Sequence, residues 1–262
     1  MSDPILFIAD LHLDPSRPAV TETFLRFLEE EATDAGALYI LGDLFEAWVG
    51  DDAVSGDEPE IEAMAELSQA GTPLFIMHGN RDFLLGEAFA EMTGATLLPD
   101  PSVTRVHGER VLITHGDSLC LGDPEYVAFR AMVRDPEWQR RFLSLPLDER
   151  IRQARHARAQ SMARTGTLDP EIMDVAPAAV HQAMRDHGVQ WLIHGHTHRP
   201  AVHRLQLGEK EGARFVLGDW FEQGSVLRCL PDTWTLERWD HPVTLARSPQ
   251  SGSVEPGPTQ PR

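Results

Sequence analysis

No apolar stretch in this 262-residue chain approaches the roughly 18 to 20 residues that a membrane span needs. The opening MSDPILFIAD has no basic flank and no small-residue cleavage site, so no signal peptide is expected. Cysteine is scarce. Cys120 and Cys229 alone fit a reducing compartment with both as free thiols, which makes the cytoplasm the expected location. Positive charge is scarce too: 23 Lys and Arg against 41 Asp and Glu leave a net −18. That balance argues against a nucleic-acid partner held by broad electrostatic attraction. No internal repeat is present, and nothing points to an obligate protein partner. Hydrophobic residues at 42% and charged residues at 24% are ordinary for a globular chain of one large domain, or one domain with an insertion. Residues 248–262, SPQSGSVEPGPTQPR, are rich in Pro, Ser and Gly and are expected to be a disordered tail.

What the chain does hold is a series of short apolar runs, each ending in a polar cluster: ILFIADLH, ALYILGDLF, PLFIMHGNRD, RVLITHGD and WLIHGHTH. Short runs rich in Ile, Leu and Val, bounded by turn residues, read as buried strands. Between the early runs, AVTETFLRFLEEEATDAG sets Phe24, Phe27 and Leu28 on one helical face and stops at Gly36. EPEIEAMAELSQAG does the same with Ile61, Met64, Ala65 and Leu67 before Gly71. Strands alternating with helices predict a layered α/β fold. After WLIHGHTH, the segments ARFVLGDW, SVLRCL and TWTLERW alternate as antiparallel strands closing a sheet.

Residues 124–175 interrupt this rhythm, inserted into a core of residues 1–123 and 176–247. The insertion reads as mostly helical, with Pro136 and Pro146 breaking it into short helices. From Tyr126 to Arg164 nine arginines face four acidic residues, a local +5 inside an acidic protein. Phe129, Met132, Val133, Trp138, Phe142, Leu143 and Leu145 are interleaved with them. A solvated helical hairpin fits this composition. So does a surface for a membrane, or for an amphiphile with a phosphate headgroup. Its expected position is over the carboxyl ends of the strands, where α/β proteins bind ligands.

The polar clusters carry chemistry. Asp10 and His12 follow the first run as D-x-H, Asp43 the second, Asn80 the third, His115 the fourth, and His196 and His198 the fifth as GHTH. Alternation puts both members of D-x-H and of H-x-H on one side of an extended chain. Two aspartates, one asparagine and four histidines on one rim suggest two divalent cations sharing a carboxylate. Imidazole with carboxylate and amide oxygen, and no thiolate, suits Mn²⁺, Fe²⁺ or Zn²⁺. Gly42, Gly79, Gly116 and Gly195 beside them allow close backbone approach. His194, one step earlier in the last motif, reads as a supporting residue. Trp48 and Phe83 near this rim fit either the core or the site.

Residues 78–82, HGNRD, pose their own question. Gly-Asn is good turn chemistry, and Arg-Asp is a common surface pair. In a site, Asn80 is a neutral oxygen ligand, Arg81 a clamp for phosphate oxygens, and Asp82 a holder for the guanidinium.

The ordered set D-x-H, G-D, G-N, H-G-D and G-H-T-H resembles the calcineurin-like metallophosphoesterase superfamily, over nearly the whole chain to about residue 240. The resemblance implies an α/β/β/α sandwich. It implies one metal on Asp10, His12, Asp43 and His198, and a second on Asp43, Asn80, His115 and His196. Most of that superfamily reads GNH(D/E) where this chain reads GNRD. Arginine is a poor proton donor, so this departure favours a good leaving group such as a phosphate. GNRDFLLG, with ADLHL, GDLFEAWVGDD, THGDSLCLGD, IMDV and IHGHTHRP, is similar to the UDP-2,3-diacylglucosamine pyrophosphohydrolase family of lipid A synthesis. That likeness implies metal-activated water attacking the α-phosphorus, with UMP and 2,3-diacylglucosamine 1-phosphate as products. It implies two Mn²⁺ ions, catalytic roles for Asp43 and Arg81, and residues 124–175 as a helical lid sheltering acyl chains. It also implies peripheral attachment to the cytoplasmic face of the inner membrane. Substrate contacts are implied for Asn80, Arg81, Asp123, Arg158, Ser161, Arg164 and His196. Relatives often carry a lysine shortly after the serine, where this chain reads SMARTGTLD with Arg164. A phosphodiesterase with the same donors, or a non-catalytic scaffold, are the rival readings. Net charge and Arg81 weigh against the first, and the complete donor set against the second.

Overall fold

Along each apolar run, alternate side chains enter different interiors, and that alternation builds the molecule. The computed structural model describes residues 3–165, 174–221 and 224–238. The tail expected at 248–262 lies outside the described residues. Strand β1 (Ile5–Ile8) leads through helix α1 (Pro18–Phe27) and a π turn (Leu28–Ala32) to β2 (Ala37–Leu41). Next come α2 (Pro59–Ala70), β3 (Leu74–Met77), α3 (Glu87–Thr93) and β4 (Thr96–Leu98). A hairpin, β5 (Ser102–Val106) with β6 (Glu109–Thr114), precedes helices α4 (Pro124–Val133), α5 (Pro136–Leu143) and α6 (Leu147–Thr165). Helix α7 (Pro177–His187) then leads to β7 (Trp191–His194), β8 (Ala201–Leu207), β9 (Lys210–Val216), β10 (Ser225–Cys229) and β11 (Trp234–Arg238).

The strands make two sheets, ordered β11-β10-β1-β2-β3-β4 and β5-β6-β7-β9-β8. Strands β1 to β4 run parallel, as do β6, β7 and β9. Leu6, Ile8, Leu38 and Ile40 face α1, α2 and α3, meeting Phe24, Phe27, Met64 and Phe89. Their neighbours Phe7, Tyr39 and Leu41 face the other sheet, meeting Val111, Ile113, Ile193 and Phe215. On the far side of that sheet, Leu112 and Leu192 pack against Val180 and Met184 of α7. Helix, sheet, sheet, helix: the expected four-layer sandwich follows from a period of two applied to both sheets. A stack of Phe7, Tyr39 and Phe75, with ring centroids 4.7 Å apart at each step, lines the interior between the sheets. The Tyr39 hydroxyl meets Thr104 Oγ1 across the two sheets at 2.9 Å, so the one phenol there keeps a polar partner.

Three expectations are corrected. The segments ARFVLGDW, SVLRCL and TWTLERW do not close one sheet: β9 belongs to the five-stranded sheet, whereas β10 and β11 extend the other. Strands β4, β5 and β8 were not anticipated. They lie at sheet edges and are half-exposed, so their side chains carry little apolar pattern. The first helix ends at Phe27, and the π turn after it holds Leu28 and Ala32 in the core while Glu29 and Glu30 stay exposed.

In the insertion, Pro136 occupies the first turn of α5 behind Asp135, whose carboxylate accepts the Trp138 N–H at 2.9 Å. Pro146 directly precedes α6, which at 19 residues is longer than the short helix expected. Helix α6 is fastened by Arg150, fully buried, which donates to the Val49 carbonyl at 2.6 Å and pairs with Asp52. Arg150→Ala is therefore expected to speed amide hydrogen exchange along α6 at least about tenfold, with both sheets unchanged. Mass-spectrometric exchange checks this, and unchanged protection of α6 counts against the fastening.

Candidate metal centre

Strands β1, β2, β3, β6 and β7 all end at one rim, and the seven donors lie in the turns that follow them. The first two turns zip together: Asp10 N–H donates to the Gly42 carbonyl at 3.1 Å and His12 N–H to the Asp43 carbonyl at 2.9 Å. Five donors sit on left-handed backbone, Asp10, His12, Asp43, His196 and His198, with φ between 51° and 67°. Each such residue costs on the order of 1–3 kcal/mol, tolerated where the surrounding sheets over-determine it. The turns also need glycine. A Cβ at Gly79 would collide with the Asp43 carboxylate, and one at Gly195 with that of Asp10.

The donor atoms converge on two adjacent positions. At one, His12 Nε2 and His198 Nε2 stand 3.3 Å apart, with Asp10 Oδ1 3.5 Å from His198 and Asp43 Oδ2 3.6 Å from His12. At the other, His115 Nε2 lies 3.0 Å from Asn80 Oδ1 and 3.8 Å from Asp43 Oδ1, with the His196 ring 5.0 Å from that of His115. Asp43 thus offers one oxygen to each. The backbone N–H of His196 also donates to Asp10 Oδ2 at 2.8 Å.

Burial should leave such groups neutral, and their neighbours decide otherwise. Burial opposes charge on His198, yet the carboxylates of Asp10 at 3.5 Å and Asp219 at 3.4 Å raise its pKa to about 10. Burial likewise opposes charge on His115, but Asp43, Asp117 and Asp10 raise it to about 9. For Asp10, burial is outweighed by His198, His115 and His12, and its pKa falls to about 2. His196 moves down to about 4, by burial and the charge of His115. Supporting His194, buried with Nδ1 2.8 Å from the Gly195 carbonyl, is pushed to about 3 by burial. The rim calls for positive charge. Asp10 Oδ1 is buried and accepts no hydrogen bond among the described residues. Imidazole nitrogens facing each other and facing carboxylate oxygens, without room for intervening water, suit one shared cation better than they suit hydrogen bonds. Asp10, His12 and His198 form one such cluster; Asp10, Asp43 and His115 form the other. The donor set therefore fits divalent metal, with Asn80 and His196 beside the second cluster.

Arg81 donates its backbone N–H to Asp43 Oδ1 at 2.8 Å, and its buried side-chain Nε has no partner among the described residues. Helix α6 brings in Arg158, whose Nε lies 2.6 Å from Glu46 Oε1. Burial, then the charge of Arg81, lowers the Arg158 pKa, with Glu46 and Asp43 opposing the shift. Ser161 is half-buried one turn further along α6. Arg164 pairs with Asp123 and Glu125, and Asp123 caps α4, accepting the Glu125 and Tyr126 N–H groups at 3.1 and 3.0 Å. Asp123 and Arg164 are thus engaged with each other at the foot of the insertion.

Asp82 does not hold the Arg81 guanidinium. Fully buried, it accepts the N–H groups of Leu44 and Gly79, each at 2.7 Å, and ties the turns after β2 and β3 together. Burial and the nearby charge of Asp43 raise its pKa. Adjacent side chains in a tight turn diverge, so sequence neighbours need not pair. Asp82→Ala should strand both N–H groups and destabilise the fold by roughly 2–4 kcal/mol, read from urea unfolding. A loss under about 0.5 kcal/mol would count against this role. Trp48 packs on Phe45 and Phe89 as core, whereas Phe83 meets Trp138 of α5 at 6.2 Å.

Sequence reasoning missed Glu46, Asp117 and Asp219. Glu46 binds Arg17, and Asp117 accepts the Tyr126 hydroxyl at 3.0 Å and Arg130 Nε at 2.8 Å. Asp219 lies 3.4 Å from His198. The signal available for the first two was position alone, within GDLFE and HGDS after strand ends.

Comparison with known proteins identifies the family. The family model described as calcineurin-like phosphoesterase matches residues 3–200. A protein of Stenotrophomonas maltophilia named UDP-2,3-diacylglucosamine hydrolase is 52% identical over 243 residues, covering 88% of this chain and 97% of its own. One of the same name from Chromohalobacter salexigens is 54% identical over 216 residues, covering 82% and 88%. Another from Xanthomonas campestris pv. campestris is 50% identical over 241 residues, covering 89% and 98%. The chain belongs to the calcineurin-like phosphoesterase family, in the branch of the UDP-2,3-diacylglucosamine hydrolases.

Proposed function

We propose that this chain hydrolyses the pyrophosphate bond of UDP-2,3-diacylglucosamine in lipid A synthesis, water attacking the α-phosphorus to give UMP and 2,3-diacylglucosamine 1-phosphate. The observation that carries the reading is the buried Nε of Arg81, without a partner among the described residues, beside seven metal-type donors, with the Arg81 backbone N–H on the Asp43 carboxylate. A fixed cation beside a metal-type rim makes a seat for a diphosphate. Asp10, His12, Asp43, Asn80, His115, His196 and His198 would hold two Mn²⁺ ions, which when bound would supply Lewis acidity toward water and the phosphoryl oxygens. Arg81 clamps the phosphoryl oxygens and stabilises charge as the bond to the leaving phosphate breaks. Asn80 and His196 orient the same group, and Arg158, Ser161, Arg164 and Asp123 hold the glucosamine and its phosphate. No side chain is required as nucleophile, and Cys120, buried and pushed up to about 12 by burial and Asp117, is unsuited to the role.

Residues 124–175 act as a lid over the acyl chains. Exposed Leu121, Val127, Phe129, Met132, Leu143 and Met162, on and around α4 to α6, support this. No helix among the described residues is long and apolar enough to cross a membrane. The same apolar residues, with the exposed Arg140, Arg141, Arg152 and Arg155, suit peripheral contact with the anionic cytoplasmic face of the inner membrane.

The test is turnover of UDP-2,3-diacylglucosamine with and without Mn²⁺ in ¹⁸O-labelled water. UMP release that requires metal, with the label in UMP, is expected. Label in the lipid phosphate would overturn the point of attack. No turnover, with metal-dependent cleavage of simple phosphodiesters, would overturn the substrate and the lid's lipid role.

A further inference from the structure

We propose that Glu46 and Asp219 are positioning residues for the His12–His198 metal position, each fixing one imidazole so that Nε2 is its ligating nitrogen. The inference rests on reading the rim as a pair of metal sites. His12 and His198 present Nε2 to each other at 3.3 Å. Behind them, Nδ1 of His12 lies 3.4 Å from Glu46 Oε2, and Nδ1 of His198 lies 3.4 Å from Asp219 Oδ2. Both rings therefore have a carboxylate at the back and the cluster at the front. At 3.4 Å these are close charge contacts and not hydrogen bonds, and His12 Nδ1 has no hydrogen-bond partner among the described residues; a carboxylate facing Nδ1 still favours the tautomer protonated there, leaving the Nε2 lone pair free to ligate.

The other position is built differently. His115 turns Nδ1 to the Leu41 carbonyl at 2.9 Å, a neutral acceptor on the backbone of β2. His196 has no carboxylate within ion-pair distance among the described residues. The nearby carboxylate, Asp117, is engaged by Tyr126 and Arg130. Outer carboxylates thus serve one position and not its neighbour, so their loss should separate the two.

Local structure explains how two distant acids arrive there. The Glu46 N–H donates to the Leu13 carbonyl at 3.1 Å, continuing the pairing of the turns after β1 and β2, which carries the carboxylate to the His12 ring. Asp219 lies between β9 and β10, where the Trp220 N–H donates to the Asp10 carbonyl at 3.3 Å. The Asp219 carboxylate is steadied by the Phe221 N–H at 3.2 Å. Glu46 has a second connection: Arg17 donates to its Oε2 at 2.7 Å, and Arg158 of α6 meets its Oε1. Its carboxylate thus joins the metal ligand His12 to an arginine proposed to hold substrate phosphate.

Glu46→Gln and Asp219→Asn keep size and remove charge. Mn²⁺ titration of metal-free protein, followed by calorimetry and by the electron paramagnetic resonance of free Mn²⁺, should give two classes of site in wild type. In each variant one class should weaken about 10- to 100-fold while the other stays unchanged. In Zn²⁺-loaded protein, long-range ¹H–¹⁵N spectra should show the His12 Nδ1–H resonance shifted in Glu46→Gln alone, and that of His198 in Asp219→Asn alone. Equal weakening of both classes, or no weakening with those resonances unmoved, would overturn the assignment while leaving the metal pair standing. A wild type that binds fewer than two Mn²⁺ would overturn the metal pair and this inference together.

Discussion

Replacing Asp43 by alanine should lower kcat by at least three orders of magnitude, about 4 kcal/mol of transition-state stabilisation, and leave the protein unable to hold two metal ions. Its carboxylate sets one oxygen toward each half of the rim. One Asp43 oxygen lies 3.6 Å from His12 Nε2, the other 3.8 Å from His115 Nε2. The second oxygen also accepts the Arg81 N–H, so the carboxylate organises the GNRD turn as well as the cation positions. Asp43→Asn separates these duties, because the amide oxygen can still accept that N–H while the bridging charge is gone. It should retain the turn and lose metal almost as fully. Metal content by atomic absorption, with kcat at saturating Mn²⁺, checks both variants. An Asp43→Ala protein that keeps two equivalents of metal would show that the bridging assignment is wrong.

Arg81→Ala should lower kcat by roughly 10²- to 10³-fold, the cost typical of removing one electrostatic contact to a developing oxyanion, with metal content nearly unchanged. The guanidinium is no ligand. The residue's hydrogen bond to the rim comes from its backbone N–H, which alanine retains. What is lost is a planar cation beside the rim, whose buried Nε has no partner among the described residues and is available to phosphoryl oxygens. Lysine at position 81 should recover little, because a point charge on a flexible stem does not reproduce the two-pronged fork. If Arg81→Ala strips the metals, the residue is structural and the clamp is not its role.

The donors were legible because each directly follows an apolar run, and residues that end neighbouring strands end at one rim. The four layers were legible for the same reason: an apolar run of the first sheet feeds two interiors, as Leu6 and Phe7 do. What escaped depends on contacts between distant segments. Glu46 and His12 lie on separate turns, and only the pairing of the turns after β1 and β2 brings them together. Asp219 reaches His198 because β10 returns beside β1, a connection that no local pattern encodes. The left-handed backbone at Asp10, His12, Asp43, His196 and His198 lacks the glycine that usually marks it, and the preference of Asp and His for that region is too weak to single these positions out. Asp82 was misplaced because adjacency to Arg81 suggested a pair, whereas its carboxylate is turned inward to backbone donors.

Four of the seven donors, Asp10, His12, Asp43 and Asn80, extend from the six-stranded sheet, while His115, His196 and His198 extend from the other. The centre is therefore a clasp at one end of a two-leaved book, and the pages are kept in line by the rings between them. Trp234, on the outer strand of the first sheet, packs against Trp191 and Phe215 of the second. If truncating it lets the leaves slide, the donors part at the far end. Such a variant would present as a metal-binding defect although it touches no ligand. Conversely, a filled clasp would resist the sliding, so heat and chelators should act on this molecule as partners.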